Sequence, residues 1–560
     1  MTNTAVSNAS HSPALRSRFL LPATMFLSLG LLWLLVYRRY ALAFLLGLGS
    51  DDANILLEAQ AVLGGNPLLK HWVLTTFSAY TTDLPYYTVA SALTGGARYP
   101  LLAEVPAFLF TLCLGAAMWL AGGRPAGGAR SRFGMFTCFV LMGMPSALAA
   151  FNALQGPTHA ATMLPCLLAF LALDTPESRR DSAGRLLSSL SWVRLGIATA
   201  LLTLAKFGDD MALYVAVAPL ALVALTRLLR GEGTHRSEIS VLGVCAAALL
   251  LSKAGMAAMG AMGGFQIPAD SYAQHLSFVS FLNFPSNVWW TAGNLLQLYG
   301  AEFFSADVSP RVGITLAKGI GLCLVFYALV RCLSLWRPYP LGRTTPRPES
   351  YNRIDRLSAT LALGMLISLL AYACSDRVVE NQSARYLLPF FYMAAVLVGR
   401  FGLEAAPSRG RFQVLVGVVA IATGVSFLNS VRQTAPADVP ATRLAAWLEE
   451  RGLRDGYGAY WCSSITTLVS EGRVRVRALR RSENGNGKME PLIWGVDTRW
   501  YQSHGPVRFV VVDSLGTYAV TEKNVIQAFG NPDATHHLED YTILVWNQDI
   551  SPRLSAVAAP

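Results

Sequence analysis

Apolar runs of roughly 15 to 22 residues recur down the first 430 positions of this chain, separated by polar stretches. That length is close to what a helix needs to cross the hydrocarbon of a bilayer. Eleven runs are read, at about 19–37, 103–121, 133–150, 159–173, 195–207, 211–227, 239–259, 312–333, 357–374, 385–399 and 412–429. The pattern predicts an α-helical polytopic membrane protein with about 11 transmembrane helices. Composition agrees: 53% of the 560 residues are hydrophobic and 14% are charged, where a soluble protein carries about 25% charged residues.

The basic residues predict the orientation. With a cytoplasmic N-terminus, the inner loops are about 122–132, 174–194, 227–238, 331–356 and 400–411, and they hold 19 arginines. The short outer segments hold eight basic residues: Arg38, Arg39, Lys70, Arg98, Lys206, Arg311, Arg377 and Arg385. Arg38 and Arg39 oppose the trend locally. The formal charge of +11 is therefore a topology signal. A nucleic-acid partner is not expected, because the arginines are scattered over loops. Residues 1–18 are polar and lack a cleavable-signal pattern, so they form a cytoplasmic tail and the first run stays as an anchor. Parity then puts Asp51, Asp52 and everything after about 430 outside the cytoplasmic membrane. Five of the eight cysteines lie inside apolar runs, where they act as small hydrophobes, and no Cys-x-x-Cys or His-rich metal motif occurs.

Two long outer segments interrupt the rhythm, at about 50–100 and 260–311. In the first, Ala53 to Leu63 has apolar residues at helical spacing and stops at Gly64-Gly65. Asp83-Leu-Pro85 opens a second helix that ends at Gly95-Gly96. Both are expected to lie in the membrane interface, with Trp72, Tyr80, Tyr86 and Tyr87 at headgroup level. The second segment is rich in aromatics, from Phe265 to Tyr299. Within 431–560 the composition changes. Helical stretches (Ala441–Glu450, Thr521–Phe529) alternate with strand-like ones (Arg473–Leu479, Val507–Val512, Tyr541–Trp546), which predicts a small extracytoplasmic α/β domain.

The candidate chemistry starts at Asp51 and Asp52, where the first apolar stretch runs out into polar sequence, with Asn54 and Glu58 following on the same helix. A carboxylate pair at a membrane edge suits a general base, and adjacency raises one member's pKa. The bland reading is a helix end in water. Lys206, followed by Asp209 and Asp210, is a cation fit to hold a phosphate or a snorkelling lysine in a tight hairpin. Arg385, beside Tyr386, opens the tenth helix and matches phosphate in a bidentate way; its bland partner is Glu380. Asn152, Gln155, Thr158 and His159 sit at another outer helix end, a polar turn by default and polar substrate ligands otherwise.

Together these pieces resemble the GT-C membrane glycosyltransferases, which include protein O-mannosyltransferases and lipid A aminoarabinose transferases. The residues that carry the resemblance are Ser50-Asp51-Asp52, the Leu56-to-Gly65 helix, Thr81-Thr82-Asp83-Leu84-Pro85, Ala205-Lys206-Phe207 and Ser383-Ala-Arg385-Tyr386-Leu-Leu-Pro389. The resemblance covers about 20–400 and implies a catalytic membrane domain over 19–430. It implies a polyprenyl-phosphate sugar donor, a lipid, glycan or protein acceptor, and a catalytic base at Asp51 or Asp52. Lys206, Arg385 and Tyr386 would take the donor phosphate, with Asn54, Glu58, Asp83, Gln155, His159, Asp209 and Asp210 lining the substrate. A divalent cation is an optional partner. An Asp-Asp pair departs from the Asp-Glu of some members, so the pattern leaves the base unassigned. Two rival readings stand beside it: a secondary transporter, which buried charges also suit, and a non-catalytic partner in an envelope glycan assembly.

Overall fold

A computed structural model describes residues 28–123, 128–157, 159–174, 191–231, 234–268, 277–304, 310–336, 354–378, 381–435, 439–483, 487–502 and 505–555. The tail 1–18, Thr158 and Glu380 lie outside the described residues.

Each apolar run forms helix where it is described, but the runs do not make eleven equal spans. Among the described residues, seven helices are long and apolar enough to cross a membrane: Ser28–Leu45, Leu101–Gly122, His235–Ala261, Arg311–Leu335, Arg356–Cys374, Ser383–Ala405 and Arg409–Gln433. The third run breaks into Ala129–Gly143 and Ala147–Leu154, bent by 87°; Pro145, which cannot continue a helix ladder, stands at the break. Met163–Leu173 and Leu213–Leu229 are apolar but shorter. Ser383–Ala405 is the most enclosed span, and Leu101–Gly122, Arg311–Leu335, Arg356–Cys374 and Arg409–Gln433 pack against it.

The two ends of this bundle differ in their charges. At one end the predicted inner loops meet through ion pairs. Arg227 and Arg356 share Glu238, at 3.2 and 3.4 Å. Arg400 reaches Asp174 at 2.7 Å and Asp355 at 3.2 Å. Burying such charges is tolerable only when they are paired. Arg38, which ran against the charge pattern, is tied to Glu104 at 2.7 Å.

Past the bundle lies a six-stranded sheet, ordered β4-β3-β2-β6-β8-β7. Its strands are β2 (Asp455–Gly458), β3 (Arg475–Arg481), β4 (Met489–Pro491), β6 (Phe509–Asp513), β7 (Ala534–Leu538) and β8 (Tyr541–Val545). β2 is parallel to both β3 and β6, while the outer pairings are antiparallel. The central strand reads Asp-Gly-Tyr-Gly and carries little strand signal. Its glycine is needed for packing, because a Cβ at Gly456 would lie 2.3 Å from the Phe509 ring. The remaining two strands, β1 (Trp72–Val73) and β5 (Val496–Asp497), pair antiparallel and stitch the first outer segment to the sheet region.

That stitching corrects the interfacial reading for Trp72, Tyr87 and the first of the two helices. Trp72 is 2% exposed and Tyr87 is fully buried, so neither sits at lipid headgroups. Helix Ser50–Leu63 buries Ser50 and every residue from Ala53 to Ala59. The cause is tertiary: helix Tyr460–Val469 packs directly on it from the sheet side, and helix Leu84–Thr94 packs on it from its own segment.

Candidate active site

Helix Ser50–Leu63 begins at Gly49, whose N–H donates to Asp52 Oδ2 at 3.0 Å. Two carboxylates in a first helical turn also complement the helix dipole. The two acids then diverge. Asp51 Oδ1 accepts the phenol O–H of Tyr460, and the Trp494 indole bears on the same carboxylate as a second donor. Burial lifts the Asp51 carboxyl above its usual range, while Tyr460, the Arg385 charge and Trp494 hold that rise back. Burial pushes Asp52 to about 7, restrained by the Gly49 N–H and increased by the negative charge of Asp51. Its Oδ1 lies against Gly156, where a Cβ would come within 2.2 Å.

The facing cation is Arg385, in the 3-10 turn Asn381–Leu387. Its guanidinium carbon stands 5.2 Å from the Tyr386 ring centroid, and Nη2 donates to the Tyr386 hydroxyl at 3.4 Å. It feels the charge of both Asp51 and Asp52. Its Nε–H is buried and has no partner, a costly state for a charged donor unless a ligand completes it.

Beyond Tyr386 lies His159, 5.6 Å ring to ring, with the Phe77 ring tilted against it at 4.4 Å. His159 Nδ1 is 2.8 Å from Asp209 Oδ2, which also accepts the Thr162 hydroxyl at 2.7 Å. Burial works against the Asp209 carboxylate, but the His159 contact and the bonds from Met211 and Thr162 outweigh it and hold its pKa below the usual range. His159 has φ +67°, in the left-handed region that non-glycine residues enter only under constraint. Asp83 completes the row. Burial raises it to about 7, against the Thr82 hydroxyl at 2.8 Å and with the Asp209 charge adding to the rise. Burial, and then Asp83, push Glu58 well above its usual range. Both amide atoms of Asn54 and the Tyr87 hydroxyl are buried without partners.

Eight of the residues predicted from sequence thus form one connected row: Asp51, Asp52, Arg385, Tyr386, His159, Asp209, Asp83 and Glu58. Asn54 lies on the same helix as the aspartates. Lys206 and Asp210 stand apart as an ion pair across one helical turn, with the Asp210 side chain 85% exposed. The Gln155 amide turns to the Gly47 carbonyl at 3.5 Å. Among the described residues no group of three or more His, Cys, Asp or Glu is placed to hold a metal ion. Sequence reasoning missed Tyr460, Trp494 and Gly156. Nothing local in the Ala-Tyr-Trp461 segment connects it to an aspartate 409 residues earlier.

No family model and no curated protein sequence matches the chain. Solved structures do. ArnT from Cupriavidus metallidurans bound to undecaprenyl phosphate aligns at 12% identity with a TM-score of 0.53, over 96% of this chain and 100% of that one. The same protein in the apo state aligns at 13% identity and a TM-score of 0.44, over 96% and 100%. The Archaeoglobus fulgidus oligosaccharyltransferase tethered to an acceptor peptide gives 11% and 0.40, over 90% and 71%. The first of these overlaps shows a shared fold along nearly the whole chain.

Proposed function

On that GT-C fold, we propose that this multi-pass membrane protein is a glycosyltransferase. It moves a sugar from a polyprenyl-phosphate-linked donor to an extracytoplasmic lipid, glycan or protein, with its site and C-terminal domain outside the cytoplasmic membrane. The observation that carries the reading is a carboxylate pair facing Arg385, whose buried Nε–H is unpartnered. A base for an acceptor hydroxyl and a donor for a leaving phosphate are what such a transfer requires.

Asp51 is the base in this reading. Asp52 has one oxygen bound to the Gly49 N–H and the other walled by Gly156, whereas Asp51 is held by side-chain donors and feels the Arg385 charge. Burial makes Asp51 a stronger base than a solvated aspartate. The acceptor oxygen attacks the sugar's anomeric carbon, and its proton passes to Asp51. The bond from that carbon to the phosphate oxygen breaks, and the polyprenyl phosphate leaves with its charge against the Arg385 fork. Tyr386 accepts from the fork through its hydroxyl and so helps to orient it. The GT-C fold counts against the transporter reading, and the aspartate variants decide the non-catalytic one.

The test is transfer of labelled sugar from polyprenyl phosphate in proteoliposomes. Asp51→Asn keeps the size of the side chain and removes basicity, and we expect a loss of roughly 100- to 10,000-fold. Parent-rate transfer by Asp51→Asn and by the double variant with Asp52→Asn would remove the base assignment.

A further inference from the structure

We propose that the C-terminal domain is part of the active site: Tyr460 is a positioning residue that fixes the Asp51 carboxylate for proton abstraction. The proposal rests on the glycosyl-transfer reading and extends it to the sheet region.

The topology explains why Tyr460 is there. In an open α/β sheet, ligand contacts gather outside the carboxyl ends of the strands, where the connections diverge. β2 is such a point. It is parallel to β3 on one side and to β6 on the other. Helix Tyr460–Val469 starts two residues after β2, so its first side chain stands at this crevice. The loop after β6 contributes Tyr518, 5.9 Å ring to ring from Tyr460. Gly516, Tyr518 and Ala519 in that loop all have left-handed φ, between 55° and 58°. The crevice therefore points at Asp51.

The placement is clamped. Ser50 donates its hydroxyl to the Tyr460 carbonyl and accepts the Ser464 N–H at 3.0 Å. Gly495, at φ +59°, sits against Asn54, and Trp461 sits against Gly49. β1 and β5 pair alongside. These contacts suffice to dock the domain. The phenol–carboxylate bond adds a chemical role, because it holds Asp51 Oδ1, and with it the carboxylate plane, in one orientation. The groups facing Asp51 are Asp52 on its own helix, Arg385, Tyr460, Tyr518 and Trp494. A phenol donor stabilises the ionised carboxylate, so removing it makes Asp51 bind its proton more tightly.

The experiment compares full-length parent and Tyr460→Phe in proteoliposomes. The phenylalanine keeps the ring and the main-chain contacts to Ser50. Expected are a kcat loss of about 10- to 100-fold with little change in KM for the donor, and a shift of the acid limb of the kcat profile to higher pH. An unchanged kcat and acid limb, or a change in KM alone, overturns the proposal. Infrared titration gives a second readout that needs no turnover. The carboxylic C=O band that Asp51→Asn abolishes should titrate at higher pH in Tyr460→Phe; an unmoved midpoint overturns the proposal even if the parent transfers no sugar. Should Tyr460→Phe fail to fold, Trp494→Phe should move the same band in the same direction, and its failure to do so is equally decisive.

Discussion

A single methyl group at Gly156 tests whether the placement of Asp52 matters. A Cβ there would lie 2.2 Å from Asp52 Oδ1, 3.1 Å from Cγ and 3.3 Å from Cβ. Ordinary non-bonded separation is about 3.5 Å, so the carboxylate has to retreat by about 1 Å. The retreat pulls Oδ2 away from the Gly49 N–H, now 3.0 Å away. Loss of a hydrogen bond to a charged group costs about 1.5–3 kcal/mol. Asp51 stands at the same helix start, and a misplacement of about 1 Å at a reacting geometry costs on the order of 100-fold in rate. Gly156→Ala should therefore lower kcat by about 10- to 100-fold while the protein still inserts and elutes as a single species. Gly196→Ala is the control, because a Cβ there meets nothing within 4 Å; it should be neutral, or stabilising by up to about 1 kcal/mol from helix propensity. The assay is labelled-sugar transfer, with thermal melting in detergent alongside. Parent-like turnover by Gly156→Ala would refute the view that Asp52 and the helix start it sets are positioned for chemistry.

Arg385→Ala should lower turnover by tens- to several-hundredfold, about 2–4 kcal/mol of lost transition-state contact. Arg385→Lys should recover only part of it, because the planar fork is gone; full activity in the alanine variant would take Arg385 out of the site. Stability should also depend on pH through Asp83, whose carboxyl is raised to about 7 by burial. The unfolded chain releases that proton near pH 4 and the folded protein near 7, so folded-state stability is present at low pH and falls as pH rises through this window. Between pH 5 and 7 the loss is on the order of 2 kcal/mol. Asp83→Asn should reduce the fall in melting temperature over that range, with Asp52, also raised to about 7, keeping part of it, and an unchanged slope would show that Asp83 does not titrate as a buried acid.

Much of this protein was legible as one-dimensional pattern. Hydrophobic run length announces bilayer helices whatever their neighbours do, because a backbone in hydrocarbon must satisfy its own hydrogen bonds. The arginine-rich loops named residues that do meet at one end of the bundle, and Arg38, the local exception, is explained by a glutamate 66 positions away. Strands with alternating or continuous apolar residues, such as Val507 to Val512, could be read directly. Asp-Gly-Tyr-Gly could not, since its strand exists to fit the Phe509 ring rather than from its own propensity. The acidic start of the first outer helix and Arg385 stood out as charges at the ends of apolar runs. Their convergence in one row of side chains did not, nor did the pairing of Lys206 with Asp210 apart from that row. Tertiary structure alone decided that the first outer helix is buried, that the C-terminal domain covers it, and that Tyr460 reaches Asp51. Periodicity reports which face of an element is apolar. It carries no information about which distant element will cover that face, because that choice is made by packing and hydrogen-bond satisfaction among residues hundreds of positions apart.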